Sequence, residues 1–341
     1  MTRSPIALAL GITLLAHGAV AASLPATPVK PVTETLFGTQ IVDPYRWLED
    51  MQSSEFKTWL KAQADFAGET LASIPGRAAL AARLTELSNA STSVAGMSMA
   101  GQRAFYLKTE PGRNGRRLYV READGSEQLL LDPDTLASTG AHYAIDWYAP
   151  APNGQLIAVG VSQGGSEDSE LRIYDLKARK WLSERIDRTG LNERGIGWQA
   201  DGKRFFYNRL PAPDAKGQRE RYNKSAVWMH TVGEPADKDQ PLFGYGLDPA
   251  RPFADPDIPS VQLSARSHYV LATVEHGDAK EHSFYIAPLA KLNGVATPWQ
   301  QVVTPADGVH HAWMHGDTLY LLSFKDAPRG KLLALDLHKP D

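Results

Sequence analysis

A repeat of short strands with a period near 50 residues constrains this chain more than any other feature. The clearest copy is Trp198-Gln-Ala-Asp-Gly-Lys-Arg-Phe-Phe-Tyr-Asn208, followed by Val227-Trp-Met-His-Thr231. Asp201-Gly202 makes a tight turn, because glycine takes positive φ without a Cβ clash. Second-strand cores recur at Phe105-Tyr-Leu107, Leu156-Ile-Ala-Val159, Phe205-Phe-Tyr207, Tyr269-Val-Leu-Ala-Thr273 and Leu319-Tyr-Leu-Leu322, with spacings of 51, 49, 64 and 50 residues. Third-strand cores follow at Leu118-Tyr-Val120, Arg172-Ile-Tyr-Asp-Leu176, Val227-Trp-Met229, Phe284-Tyr-Ile286 and Leu332-Leu-Ala-Leu-Asp-Leu337. Turn residues precede most second strands: Gly101-Gln102, Asn153-Gly154, Asp201-Gly202 and Gly316-Asp317. Repeated short strands at this period predict a mainly β chain built as β-propeller blades, each burying its faces against its neighbours. The competing fold is a β-sandwich with accidental spacing.

The chain before the repeats is different. Arg3, the apolar run Ile6 to Leu15 and Ala19-Val-Ala21 read as a cleavable export signal over residues 1–21, too short to span a membrane. Residues 22–87 read as a helical arm. Pro25, Pro28 and Pro31 keep its start extended, and Asp43 with Pro44 suits a helix entrance. Ser54 is the expected cap of one helix, with Phe56, Leu60, Ala64, Ala67 and Leu71 on one side; Ser73 and Pro75 open a second, with Leu80, Leu84 and Leu87 in line. Residues 88–341 are then an incomplete propeller of about five blade units.

Composition removes several functions. The 43% hydrophobic content supports a sizeable core, and the net charge of −3 gives no electrostatic case for nucleic acid. The absence of cysteine excludes disulfides, thiolate metal sites and a cysteine nucleophile. Nothing in the mature chain reads as transmembrane. The basic insert Ala212 to Lys224 reads as a surface loop.

Asp43-Pro-Tyr-Arg-Trp-Leu-Glu-Asp50, Leu131-Asp-Pro-Asp-Thr-Leu136, Ser162-Gln-Gly-Gly-Ser-Glu-Asp168 ahead of Leu171 to Leu176, and Trp198 to Tyr207 together resemble the prolyl oligopeptidase family. The resemblance covers nearly all of residues 30–341. It implies a seven-bladed propeller paired with an α/β-hydrolase domain that cleaves short peptides after proline with Ser, His and Asp. Here five units are found, and the expected remainder is a C-terminal hydrolase domain outside these residues. The chain is therefore expected to be the propeller portion of an exported (periplasmic or secreted) serine endopeptidase, inactive alone. The alternative is a non-enzymatic exported propeller used for binding.

No catalytic, cofactor or metal residue is assigned. Gly96-Met-Ser-Met-Ala-Gly101 and Gly164-Gly-Ser-Glu-Asp168 are not G-x-S-x-G, so Ser98 and Ser166 read as turn residues. His310, His311 and His315 near Asp307 match no metalloprotease spacing, and His276 and His282 read as exposed around a charged turn. Asp248, Asp255 and Asp257 lack the glycine and terminal glutamate of a calcium loop.

Overall fold

The structure is a computed structural model, which describes residues 23–136, 140–192, 196–215, 217 and 221–340. The expected export signal lies outside the described residues. The chain divides into two compact units, residues 1–90 and 91–341.

In the first unit the Pro- and Thr-containing arm is partly a hairpin, β1 (Val32–Leu36) and β2 (Thr39–Asp43). Its turn holds Phe37 at φ 50° and Gly38 at φ 79°, as a primed two-residue turn requires. The Asp-Pro-Tyr-Arg segment has a local reason. Asp43 Oδ1 accepts the Tyr45 N–H at 2.8 Å, and Arg46 bonds both Asp43 (2.9 Å) and Glu34 (2.8 Å). The hydrogen bond from Arg46 holds the Glu34 carboxyl below the usual carboxylate range. A 3-10 turn, Arg46–Glu49, replaces the helix expected at Pro44.

Two helices follow, α1 (Ser54–Ser73) and α2 (Arg77–Ser88). The cap of α1 is Ser53, one residue earlier than expected, and its Oγ accepts the Phe56 N–H at 3.1 Å. Ser73 ends α1 instead of opening α2. Pro75 forces Ile74 to an extended ψ of 120°, which separates the helices. Indole donors tether the proline-rich start: Trp47 to the Pro28 carbonyl at 2.9 Å and Trp59 to Thr27 Oγ1 at 3.0 Å.

The second unit is five successive antiparallel sheets. Sheet one is β3 (Ser93–Ala100), β4 (Arg103–Thr109), β5 (Arg117–Arg121) and β6 (Glu127–Leu131); sheet two is β7 (Tyr143–Pro150), β8 (Leu156–Gln163), β9 (Glu170–Asp175) and β10 (Lys180–Trp181). Sheet three is β11 (Gly197–Trp198), β12 (Arg204–Arg209), β13 (Ala226–Thr231) and β14 (Gln240–Gly244); sheet four is β15 (Asp257–Leu263), β16 (Tyr269–His276), β17 (His282–Pro288) and β18 (Gln300–Val303). Sheet five has three strands among the described residues, β19 (Val309–His315), β20 (Thr318–Ser323) and β21 (Lys331–Asp336). All five second-strand cores lie within β4, β8, β12, β16 and β20.

Four apolar cores separate the sheets, one at each junction. Strand alternation divides each run of residues between two cores. Phe205 and Tyr207 enter the core shared with sheet two, whereas Phe206 enters the core shared with sheet four. Ile157, Val159 and Val161 face sheet one while Ala158 faces sheet three. A sheet buried on both faces needs such unbroken apolar runs, and this is why the second strands were so legible. Bulges interrupt the first pairing of sheets one, two and five, at Ala95/Ser98, Ile145/Trp147 and Val309/His311, adding local twist.

Candidate functional site

Within each sheet of the second unit, alternating strand direction sends connections to two edges. First-to-second and third-to-fourth turns share one edge. Second-to-third loops and the links between sheets share the other. Loops on the second edge carry most of the paired charges, as expected where backbone is free of the ladder.

The β8–β9 loop and the chain after Asp187 form a crevice there, lined by Ser166, Glu167, Arg188, Arg221 and Tyr222. Arg188 Nη1 donates to the Leu210 carbonyl at 3.0 Å, and Arg221 Nη1 donates to the Ser166 carbonyl at 3.3 Å. Asp187 accepts from Arg188 (3.1 Å) and Arg209 (2.5 Å). Burial alone would raise the Asp187 carboxyl, but the two guanidiniums outweigh it and hold the carboxyl below its ordinary value. On the crevice lining, Ser166 Oγ accepts the Asp168 backbone N–H at 3.4 Å.

The same edge of sheet four holds an array that the sequence reading missed. Asp257 Oδ1 lies 2.8 Å from His276 Nδ1, and His276 Nε2 lies 2.9 Å from Ser283 Oγ. The order Ser, His, Asp matches that of an acyl-transfer triad. Its setting differs. Ser283 is 3% exposed and lies inside β17, paired with Val274, instead of on a strand-to-helix turn. The array pins β15, β16 and β17 together at their ends. His276, expected to be exposed, is thus half-buried and bonded through both ring nitrogens. The cross-strand register that assembles it, Asp257 opposite His276 and Val274 opposite Ser283, was the missing signal.

Blade-like packing buries one more polar group set in sheet three. Tyr207 donates to Asp239 Oδ2 at 2.6 Å, and His230 Nδ1 lies 2.7 Å from Asp239 Oδ1. Burial, with the hydrogen bond to Asp239, raises the Tyr207 phenol. His230 is fully buried, its Nε2 has no partner among the described residues, and the set braces the core.

The other singled-out residues separate. Ser98 sits in β3 opposite Phe105, not in a turn as expected; the β3 bulge carries the chain past Gly96 as strand. His310 stacks on Phe324 with ring centroids 4.3 Å apart, while His311 leans on Trp313 at 5.8 Å. Asp307 caps its own turn through Thr304 Oγ1 at 2.8 Å. Asp248 pairs with Arg251 at 3.3 Å and Asp255 with Lys224 at 3.6 Å. Among the described residues no group of three His, Cys, Asp or Glu is placed to hold a metal ion. No described helix is long and apolar enough to cross a membrane.

Comparison with known proteins places this architecture. The chain is 27% identical over 98% of its length to a prolyl endopeptidase of Elizabethkingia meningoseptica, of which it covers 46%. It is 24% identical to prolyl oligopeptidase A of Galerina marginata, covering 88% of this chain and 43% of that one. A solved structure from a study of inter-domain dynamics in two prolyl endopeptidases superposes with a TM-score of 0.79 at 29% identity, over 94% of this chain and 45% of the other. Prolyl oligopeptidase B of Galerina marginata shares the fold at a TM-score of 0.73 and 20% identity, over 92% of this chain and 46% of that one. The chain thus spans less than half the length of the relatives it matches. Residues 25–341 match the family described as prolyl oligopeptidase, N-terminal β-propeller domain, and to that family this chain belongs.

Proposed function

We propose that this chain is the propeller portion of an exported prolyl-oligopeptidase-like serine endopeptidase that cleaves short peptides on the carboxyl side of proline. One observation carries the reading: a family match over residues 25–341, with relatives named as prolyl endopeptidases whose length is more than twice what the chain covers. In this reading the five sheets are five blades of a seven-bladed pattern, residues 22–87 are the arm, and the propeller limits access to short flexible peptides. The chemistry is acyl transfer on a hydrolase domain outside these residues: a serine attacks, a histidine takes its proton and an aspartate orients the histidine. Neither serine singled out above joins an open position to a histidine partner. Ser283 has its histidine but is buried, and Ser166, only partly buried, has the Asp168 backbone N–H as its hydrogen-bond partner.

The test compares the 341-residue chain with a form extended to the relatives' length, both given a chromogenic peptide with an internal proline. Turnover by the extended form alone is the expected result. Turnover by the short form that survives repurification, with fluorophosphonate labelling at Ser283, would move the active site into this chain. Absence of turnover by both folded forms would leave a binding propeller.

A further inference from the structure

The turn edge of the second unit is stitched from sheet to sheet by hydrogen bonds between first turns. Gly101 N–H donates to the Pro152 carbonyl at 3.0 Å, and Arg103 Nη1 to the Gly154 carbonyl at 2.8 Å, joining sheets one and two. Asn153 Nδ2 donates to the Asp201 carbonyl at 3.2 Å, joining sheets two and three. Ser267 Oγ (3.0 Å) and the His268 N–H (2.7 Å) both reach Asp317 Oδ1, joining sheets four and five. Between the turns of sheets three and four lies instead a cleft of about 450 Å³, within the usual size of a ligand pocket.

The cleft has an apolar floor, to which Trp198, Leu263, Leu289 and Pro152 contribute. The Trp198 indole N–H is already spent on the Ala149 carbonyl at 3.0 Å, so the ring offers its apolar body. Two charges come from the two turns, Asp201 and Arg266. Arg266 is exposed and has no hydrogen-bond or ion-pair partner among the described residues. Asp201 commits Oδ1 to the Lys203 N–H at 2.9 Å, and its Oδ2 has no hydrogen-bond partner among the described residues.

Arg266 also breaks the backbone habit of its neighbours. The left-handed residue in the other four turns is a glycine: Gly101 at φ 59°, Gly154 at 67°, Gly202 at 70° and Gly316 at 56°. Sheet four puts Arg266 there, at φ 67°. A side chain is uncommon in that region, and glycine enters it freely. The turn therefore accepts local strain in order to hold a guanidinium at the rim of an apolar cleft, a combination that functional sites concentrate.

We propose that this cleft docks short apolar peptides bearing a free C-terminal carboxylate, with Arg266 receiving the carboxylate. Guanidinium and carboxylate match in geometry as well as charge. Asp201 Oδ2 is available to the peptide's ammonium group, so a short zwitterionic peptide satisfies both turns while its side chains cover the floor. The choice of a peptide as occupant rests on the peptidase reading above; the carboxylate and apolar requirements rest on the cleft itself.

The experiment is calorimetric titration of the full chain at pH 7 with the tripeptide Ala-Pro-Leu and with its C-terminal amide. The acid is expected to bind at least about tenfold more tightly than the amide. Arg266→Gly should abolish that preference while raising the thermal midpoint, because glycine takes the left-handed turn without strain. Loss of binding in a more stable protein cannot be misfolding. Arg266→Lys should keep part of the preference. Equal binding of acid and amide, no saturable binding of either up to about 10 mM, or an unchanged preference in Arg266→Gly would each overturn the proposal. Turnover by the extended form is measured separately. Turnover without the acid preference removes only the cleft; the preference without turnover removes only the peptidase reading.

Discussion

Strands β8 and β21 have similar apolar content and opposite fates. β8, Leu156–Gln163, is buried over almost its whole length between sheets one and three. β21, Lys331–Asp336, carries three leucines and has no fully buried residue. Leu332 is 65% exposed, with Trp313 (54%) on the same sheet. Sheet one behaves likewise on its outer side, where Val94, Met97 and Met99 are exposed. The composition is the same kind of strand in each case. What differs is whether a second sheet is present on each face, and the hydrophobic contribution follows area removed from water, not sequence.

The largest expected effect separates inner from outer positions. Phe205→Ala removes a fully buried ring from the core between sheets two and three and should cost about 3–5 kcal/mol. Leu332→Ala should stay within about 0.5 kcal/mol. Urea unfolding of the full chain measures both, and comparable losses would show that β21 is covered in solution.

That same outcome can arise through association. The outer sheets offer exposed apolar side chains, and β21 offers an unpaired edge among the described residues, a combination that promotes pairing with another chain. The 341-residue chain should self-associate in sedimentation velocity runs at micromolar concentration. Leu332→Lys with Met99→Lys should weaken association about tenfold. A monomer unaffected by these changes would argue for a self-sufficient module.

A smaller effect tests the stitching of the turn edge. Hydrogen bonds from His268 and Ser267 hold the Asp317 carboxyl at about 2, below its ordinary 3.8. A depressed carboxylate contributes stability that is fully present above about pH 4 and is lost as pH falls toward 2. Asp317→Asn should flatten that part of the stability–pH curve and leave neutral-pH behaviour of the distant sheet-one core unchanged. An identical acid limb in the variant would assign the acid sensitivity elsewhere.

Much of the second unit was readable because its physics is local and periodic. Phe205-Phe206-Tyr207 has to be a strand with both faces covered, since consecutive aromatics point to opposite sides. Asp201-Gly202 has to turn. The first unit was less readable. Leu80, Leu84 and Leu87 fall in line on α2, yet all are more than half exposed within the structure described. A helical stripe reports that some surface will cover it, and names no partner. The hairpin β1–β2 was missed because its strands carry only short alternation, and pairing across Phe37-Gly38 with Arg46 bridging Glu34 and Asp43 is a contact of later residues with earlier ones.

The sequence by itself determined the strand repeat, the turns and the family, because each depends on residues within a few positions of one another or on a pattern kept across the whole chain. Only the tertiary structure decided which histidines meet which carboxylates. His276 meets Asp257 and Ser283 through strand register, His230 meets Asp239, which Tyr207 also bonds, inside a core, and His268 meets Asp317 across a sheet junction. It also decided that Arg266 stands beside an apolar cleft with no ion-pair partner among the described residues. Those pairings depend on register and on which sheet lies next to which, and a one-residue slip in either would reassign every one of them.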